Sequence, residues 1–186
     1  MMKVNVVKIA MLGVLASLSI VLMLLIRFPI LPVAPFLEYE PADIVVLIGS
    51  FLYGPLEGLL LAVIVSVIQT LTVSSGAGWV GMVMHIISSG TLAISAGLVY
   101  KKLHTKKGAL FALITGTVCM TAIMIPANLF FTVRFWGFPR EQVIDLLLPA
   151  FIPFNLIKAG VNSAVVFLIY KPVSKAFDMI HARNGR

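Results

Sequence analysis

The chain has few charged residues. Asp, Glu, Lys and Arg make up 11% of its 186 residues, whereas a soluble domain usually carries about a quarter of its residues as charges. Hydrophobic residues make up 60%, and the mean hydropathy is +1.08. Apolar runs this long and this numerous exceed what one water-soluble core can bury. We therefore predict that the solvent of this chain is a lipid bilayer.

The sequence has a single cysteine and lacks the common catalytic motifs. Cys119 is the single cysteine, which excludes an internal disulfide framework and a CxxC metal pattern. The sequence has no GxxxxGK[ST] phosphate loop, no GxSxG elbow and no HExxH, so it offers no familiar route to nucleotide hydrolysis or proteolysis. We expect no catalytic residue, no metal and no cofactor. The net charge of +7 is spread in short clusters between apolar runs, which does not favour a nucleic-acid partner.

Six apolar segments predict an all-α, polytopic bundle of six transmembrane helices that forms a single domain over residues 1–186. Crossing a hydrocarbon core about 30 Å thick needs about 20 residues, and segment 41–53 is shorter, so by length alone it could be re-entrant. The first segment is too long for a signal peptide, and no convincing cleavage site follows it, so we expect it to be a mature helix. The predicted spans are 8–27, 41–53, 56–74, 79–100, 108–132 and 147–170.

The distribution of basic residues decides whether 41–53 crosses. Ten of them lie on one side if the number of spans is even: Lys3, Lys8, Lys101, Lys102, Lys106, Lys107, Lys171, Lys175, Arg183 and Arg186. The other side then holds three, Arg27, Arg134 and Arg140. By the positive-inside rule both termini are cytoplasmic. Segment 41–53 must cross to keep the Lys101–Lys107 cluster on that side, which gives six spans.

The segment 28–40, named the lid loop here, is predicted to lie outside the cell. Prolines 29, 32 and 35, followed by Pro41, prevent a helix and stiffen the chain. The loop could simply be a rigid connector, but long ordered loops are usually functional. We interpret it as a lid over a binding site. Its candidate ligand contacts, together with an acidic residue just beyond it, are Phe36, Leu37, Glu38, Tyr39 and Asp43.

A polar stripe lies in the last apolar segment. Asn155, Lys158 and Asn162 fall within about 60° of one another on a helix, and Lys158 lies about 16 Å along it from residue 147. A lysine at that depth costs about 2.5–3.5 kcal/mol on insertion scales. It could snorkel or pair internally, but we favour a ligand contact. We expect Lys158→Met to preserve folding while it weakens binding strongly.

Other polar groups also fall inside the predicted spans. Asn128 follows Pro126, which can kink its helix, and it is a candidate either for ligand binding or for an interhelical hydrogen bond. Gln69 and Met84 complete the candidate ligand set, although Gln69 and His85, each taken alone, favour helix packing. Carboxamides, one lysine and aromatic neighbours suit a planar heterocycle, because an amide offers both a donor and an acceptor. Any hydroxylated tail is expected near Glu38, Tyr39 and Asp43.

The first span carries small residues, Ala10, Gly13, Ala16 and Ser17. Such a face lets another helix approach closely. The face could pack within the bundle or dock a partner subunit.

Three stretches of the sequence resemble a known family: FPILPVAPFLEYEPADIVVLIGSFLYGPLEG, KKGALFALITGTVCMTAIMIPANLFF and IPFNLIKAGVNSAVVFLIYK. Together they are similar to the riboflavin-binding substrate-capture (S) component of energy-coupling factor (ECF) vitamin transporters, from about Ala10 to Lys171. The proline-rich loop, the Pro-x-Asn and the Asn-x-x-Lys stand in the family's order and spacing. The sequence departs from the family at Gly13 and Ser17, where an alanine pair is expected, and at His85, where an Asn is expected.

The resemblance implies a multi-pass protein of the bacterial plasma membrane that takes up riboflavin. It implies that Asn128, Asn155 and Lys158 hold the isoalloxazine edge, and that small residues of the first helix dock a transmembrane coupling (T) subunit associated with two ATPase subunits. The other partners expected are riboflavin itself and membrane lipid. Capture of another vitamin or heterocycle is the main alternative, and an intramembrane enzyme or a self-contained channel is less favoured.

Overall fold

The structure is a computed structural model that describes residues 6–73 and 75–184, with side chains described for 6–73 and 76–175. It is almost entirely helical. The long helices are α1 (Val6–Leu25), α3 (Pro55–Thr72), α4 (Gly78–Leu103), α5 (Lys106–Ala127) and α8 (Ile152–Asn184), and the shorter ones are α2 (Ala42–Tyr53), α6 (Val133–Phe135) and α7 (Arg140–Leu146). A 3₁₀ turn (Ser75–Ala77) precedes α4, and π-helical turns cover Asn128–Thr132 and Leu147–Phe151.

Five helical segments are long and apolar enough to cross a membrane: Val6–Leu25, Pro55–Thr72, Gly78–Leu103, Lys106–Phe135 and Arg140–Lys175. The predicted helix at 41–53 forms as α2, which has 12 residues and is therefore about 18 Å long. The all-α prediction is confirmed, and each predicted span corresponds to a helix.

The short helix α2 lies at the centre of the bundle. It packs against α1, α3, α4 and α8, and each residue from Ala42 to Ser50 is buried. Its close packing against α3 depends on Gly49, where an added Cβ would lie 2.2 Å from Leu61 Cδ1. A helix that is surrounded by protein on all sides carries apolar residues around its whole circumference. This explains why the sequence of α2 shows no polar face.

The last two spans are longer than their hydropathy predicts. Helix α5 continues through the π turn and α6 to Phe135, three residues past the predicted end at 132. The final span begins before 147, with α7 and the second π turn, and α8 continues past 170 to Asn184. Hydropathy detects only where apolar residues end, and a helix can continue beyond that point with charged residues such as Lys171 and Lys175. The first π turn follows Pro126, and the second contains Pro149. Neither proline has the backbone N–H that the hydrogen bonds of an α-helix require.

The lid loop contains no helix, as its prolines predict. Two short antiparallel strands, β1 (Phe28–Pro29) and β2 (Glu38–Tyr39), pair its two ends, with Phe28 opposite Tyr39. The middle of the loop folds onto the bundle. Ala34 is fully buried, and the ring centroid of Phe36 lies 6.3 Å from that of Phe151. The loop is thereby held over one end of the helices.

Candidate functional site

A cavity of about 170 Å³ lies beneath the lid loop. The loop, α3, α4, α5 and α8 all contribute to its walls. Eight of the ten predicted ligand residues line it: Phe36, Leu37, Glu38, Gln69, Met84, Asn128, Asn155 and Lys158. The structure does not bring the other two, Tyr39 and Asp43, to the cavity wall.

Glu40 is the centre of a buried polar network at the inner end of the cavity. Its side chain is 3% exposed. Lys158 Nζ donates to Glu40 Oε1 at 3.1 Å, and Gln69 Nε2 donates to Glu40 Oε2 at 2.7 Å. His85 Nε2 lies 2.8 Å from the same Oε1. One loop carboxylate thus links side chains of α3, α4 and α8.

The environment of Glu40 keeps it ionised. Burial by itself raises the pKa of a carboxyl, but the Lys158 cation, His85 and the hydrogen bond from Gln69 together outweigh it and hold the pKa of Glu40 well below its ordinary value of 4.5. Buried charges persist in proteins when they are paired and hydrogen-bonded. Lys158 is therefore an internally paired lysine in this structure, the alternative that its position in the sequence left open.

Asp43 supports Lys158 from below the cavity. It is fully buried, accepts a hydrogen bond from Ser89 Oγ at 2.5 Å, and its Oδ2 lies 3.9 Å from Lys158 Nζ. This position separates Asp43 from a ligand in the cavity. It acts on Lys158 instead of presenting its own oxygens to the solute.

Tyr39 fastens the lid loop to the last helix. Its hydroxyl donates to Asn162 Oδ1 at 2.8 Å, and Asn162 Nδ2 donates to the backbone carbonyl of Glu40 at 3.3 Å. The polar stripe predicted on α8 is therefore real, but its members differ in position. Asn155 and Lys158 line the cavity, whereas Asn162 lies deeper and holds the loop.

The two cavity asparagines have the same local arrangement at the two π turns. Asn128 Nδ2 donates to the carbonyl of Met124 at 2.7 Å, and Asn155 Nδ2 donates to that of Phe151 at 2.7 Å. Each bond uses one of the two amide hydrogens and fixes the side-chain direction. A second N–H and the amide oxygen of Asn155 remain available to a solute, since Oδ1 accepts no hydrogen bond within the described residues. The oxygen of Asn128 has only a long contact with Thr132 Oγ1, at 3.4 Å.

The mouth of the cavity is bounded by an ion pair between Glu38 of the lid loop and Arg27, which lies two residues beyond the end of α1. Arg27 Nε donates to Glu38 Oε2 at 2.5 Å, and Arg27 Nη1 donates to the carbonyl of Val73, at the end of α3, at 2.7 Å. The walls between mouth and base are apolar and aromatic, formed by Met84, Met120, Met124, Trp136, Phe151 and Phe154. The arrangement suits a flat apolar ring with a polar edge facing inward and a polar substituent toward the mouth.

Among the cavity residues that the sequence did not predict as ligand contacts, Glu40 and His85 belong to the buried polar network. In an extended strand, alternate side chains share a face, so Glu38 and Glu40 should point one way and Tyr39 the other. That alternation would have predicted Glu40 at the cavity and Tyr39 away from it. His85 is on the helix face formed by Gly81, Met84 and Ser88, which all line the cavity. The departure from the family's Asn had led us to discount this position.

The small residues of α1 divide into two groups. Ala10, Gly13 and Ser17 are exposed on the outer face of the bundle, and an added Cβ at Gly13 would meet no atom within 4 Å. Ala16 is buried in the core. Only the first three could contact a partner.

The chain matches the family model of the substrate-specific component of ECF transporters over residues 7–170. It therefore belongs to that family. The protein is a multi-pass, α-helical membrane component of a transporter and not an enzyme.

Known relatives agree with this assignment. The chain is 31% identical to the riboflavin transporter FmnP of Bacillus subtilis (strain 168), covering 88% of this chain and 90% of that protein. It is 27% identical to the riboflavin transporter RibU of Streptococcus thermophilus, covering 91% and 83%. A solved structure of the S component of a bacterial ECF transporter superposes with a TM-score of 0.77 at 27% identity, covering 91% of this chain and 96% of that one.

Proposed function

We propose that this chain captures riboflavin at the outer face of a bacterial plasma membrane and delivers it with the help of an ATP-driven coupling module. The observation that carries the proposal is the cavity beneath the lid loop, whose polar lining includes the carboxamides of Asn128 and Asn155 and the ammonium of Lys158. Relatives of this chain at 27–31% identity are riboflavin transporters.

In the proposed complex the isoalloxazine ring lies between the apolar walls. Its edge alternates carbonyl oxygens and ring N–H groups, which match the acceptor and donor of Asn128 and Asn155 and the ammonium of Lys158. Lys158 keeps its contact with Glu40 and donates a further hydrogen to a flavin acceptor, since an ammonium has three donors. The ribityl chain extends toward Glu38 at the mouth. Gln69, Met84, Phe36 and Leu37 complete the contacts.

We propose six spans with both termini in the cytoplasm. Helix α2 is too short to cross the bilayer by length alone, but it is enclosed by four other helices and need not match the lipid thickness. An even number of spans keeps the basic clusters of the chain on the cytoplasmic side. A single cysteine introduced at residue 106 should react with a membrane-impermeant maleimide only in permeabilised cells, and one introduced at residue 33 should react in intact cells, in a Cys119→Ala background.

The proposed partners are a transmembrane coupling subunit and two ATPases. Because the chain has no phosphate loop, the energy for transport must come from another subunit. The exposed small residues Ala10, Gly13 and Ser17 allow a helix of the coupling subunit to approach the backbone of α1.

Riboflavin uptake by cells tests this proposal. A riboflavin auxotroph that expresses this chain with a complete coupling module should accumulate labelled riboflavin. The matched control is the same strain with a substituted phosphate-loop lysine in both ATPases, which should show binding to the membrane without accumulation. Uptake that continues in that control would contradict the division of labour, and absence of both binding and uptake would contradict the assignment of the solute.

A further inference from the structure

A second feature of the molecule, remote from the cavity, is a groove on the lipid-facing side between α5 and α8. Its volume is about 550 Å³. On α5 it is lined by residues at helical spacing, Leu110, Ile114 and Val118, and on α8 by Gly160, Ala164 and Leu168. Residues spaced by four share one face of a helix. Two parallel apolar stripes thus form its walls.

The groove is open and has no free polar group within the described residues. Leu110, Ile114 and Val118 are each 47–56% exposed, and a Cβ added at Gly160 would meet nothing within 4 Å. The hydroxyl of Thr117 is satisfied by the carbonyl of Leu113 at 2.9 Å. From residue 156 to residue 168 of α8 the groove is about 18 Å long, close to half the thickness of a hydrocarbon core of about 30 Å. Its length matches one acyl chain in one leaflet.

The same stripes continue into a cluster of lysines. Lys106 is four residues before Leu110 on α5, and Lys171 and Lys175 follow Phe167 at intervals of four on α8. These three lysines line a second cavity of about 480 Å³. Lys106 Nζ lies 5.7 Å from the ring centroid of Phe167, whose side chain also lines the groove. The apolar groove and the basic cavity therefore adjoin at this contact.

No carboxylate in the part of the chain with described side chains forms a salt bridge with Lys106, Lys171 or Lys175. All three are exposed. By the charge distribution of the chain they lie on the cytoplasmic side, where basic pockets between transmembrane helices bind anionic lipid headgroups.

We propose that this surface is a binding site for one anionic phospholipid, with an acyl chain in the α5–α8 groove and the phosphate at Lys106, Lys171 and Lys175. The apolar length, the adjoining cationic cavity and the lack of a carboxylate partner among the described side chains all fit a molecule that is apolar along one leaflet and anionic at its end. A zwitterionic lipid with the same chains fits the groove but has no net charge to pair with the lysines.

Native mass spectrometry of the full chain, titrated with dioleoyl-phosphatidylglycerol in detergent, tests the proposal. We expect the protein to retain one such lipid in preference to dioleoyl-phosphatidylcholine. The triple variant K106Q/K171Q/K175Q should weaken retention on the order of a hundredfold, from the charge contribution of three surface lysines. The matched control, K101Q/K102Q/K107Q, removes the same charge from exposed lysines of the same side that do not line the basic cavity, and it should retain the lipid as the parent does.

A second variant tests the groove without touching the lysines. Gly160→Leu points into open space, so it should fold, fill the groove and lower retention of phosphatidylglycerol at least tenfold. Riboflavin binding, measured on each variant, reports whether the fold is intact. Equal losses in the two triple variants, equal retention of the two lipids or full retention by Gly160→Leu would each overturn the proposal. So would a K106Q/K171Q/K175Q variant that retains the lipid but fails to assemble with the coupling subunits, since the surface would then be a protein interface.

Discussion

The buried pair of Lys158 and Glu40 allows a sharp test of what holds the lid loop to the helices. Both residues are at most 5% exposed, and their charged atoms lie 3.1 Å apart. Removing one partner of a buried pair leaves the other charge uncompensated, which costs about 3–5 kcal/mol. For a chain of 150–250 residues each kcal/mol shifts the melting temperature by about 2–4 °C. Lys158→Met and Glu40→Gln should each lower the apparent Tm of the ligand-free protein by about 6–20 °C.

This prediction replaces the expectation that Lys158→Met preserves folding. That expectation treated Lys158 as a buried charge whose removal relieves a cost. In the structure the lysine neutralises Glu40 and lies 3.9 Å from Asp43, so its loss leaves two buried carboxylates without their cation.

The double variant K158M/E40Q separates the pair from its surroundings. Close charge pairs have coupling energies of about 1.5 kcal/mol or more, so the Tm loss of the double variant should be smaller than the sum of the two single losses by at least about 3 °C. Full recovery is not expected, because Asp43 still lacks its cation. The assay is the apparent Tm from tryptophan fluorescence at one scan rate, without riboflavin.

The control is the ion pair of Arg27 and Glu38 at the cavity mouth. Its side chains are 25% and 36% exposed, and pairs of this kind contribute about 0.2–1 kcal/mol. Arg27→Met should therefore lower Tm by less than about 4 °C. Additive losses for K158M and E40Q, or a loss in Arg27→Met as large as theirs, would refute the reasoning.

Three further predictions concern the two cavity asparagines, the ionisation of Glu40 and the exposed face of α1. Asn128→Ala and Asn155→Ala should each weaken riboflavin binding by about 5- to 150-fold, because an unpaired buried ligand edge costs about 1–3 kcal/mol. Equilibrium dialysis of variants whose ligand-free Tm is unchanged checks this, and unchanged affinity would remove that residue from the site. Because the folded pKa of Glu40 is lowered below 4.5, its stabilising effect is present above that pH and is lost as the pH falls through the folded pKa. The Tm difference between the parent and Glu40→Gln should therefore stay constant from about pH 8 to 5 and shrink only below about pH 5. A decline between about pH 8 and 6 would assign the effect to another group. Gly13→Leu should abolish coupled uptake and leave riboflavin affinity unchanged, while Val21→Leu, another exposed position of α1, should leave both unchanged; normal uptake by Gly13→Leu would exclude this face as the docking surface.

The helices were predictable because their signal is local. A run of apolar residues long enough to cross a bilayer can be recognised without knowledge of its neighbours, and the prolines of the lid loop excluded a helix there. The position of α2 at the centre of the bundle was harder to predict from the sequence. Nine of its 12 residues, Ala42 to Ser50, are buried among four other helices, and length alone could not distinguish a central helix from a re-entrant one.

Site residues that lie on one helix were predictable from their spacing. Contacts between residues that are distant in the sequence were harder to predict. The spacing of Asn155 and Lys158 placed both on one face, and both line the cavity. The partner of Lys158 is Glu40, 118 residues away in sequence, and no periodicity links the two. Alternation along β2 separates Glu40 from Tyr39, but it could be applied only once that segment was known to be extended.

The measurement that tests the central claim most directly is a titration of the purified protein, stripped of any endogenous ligand, with riboflavin while flavin fluorescence is followed. The account predicts tight, saturable quenching with one flavin bound per chain, weakened in Asn128→Ala and Asn155→Ala. Absence of quenching by protein that is folded by circular dichroism would contradict the assignment of riboflavin as the captured solute.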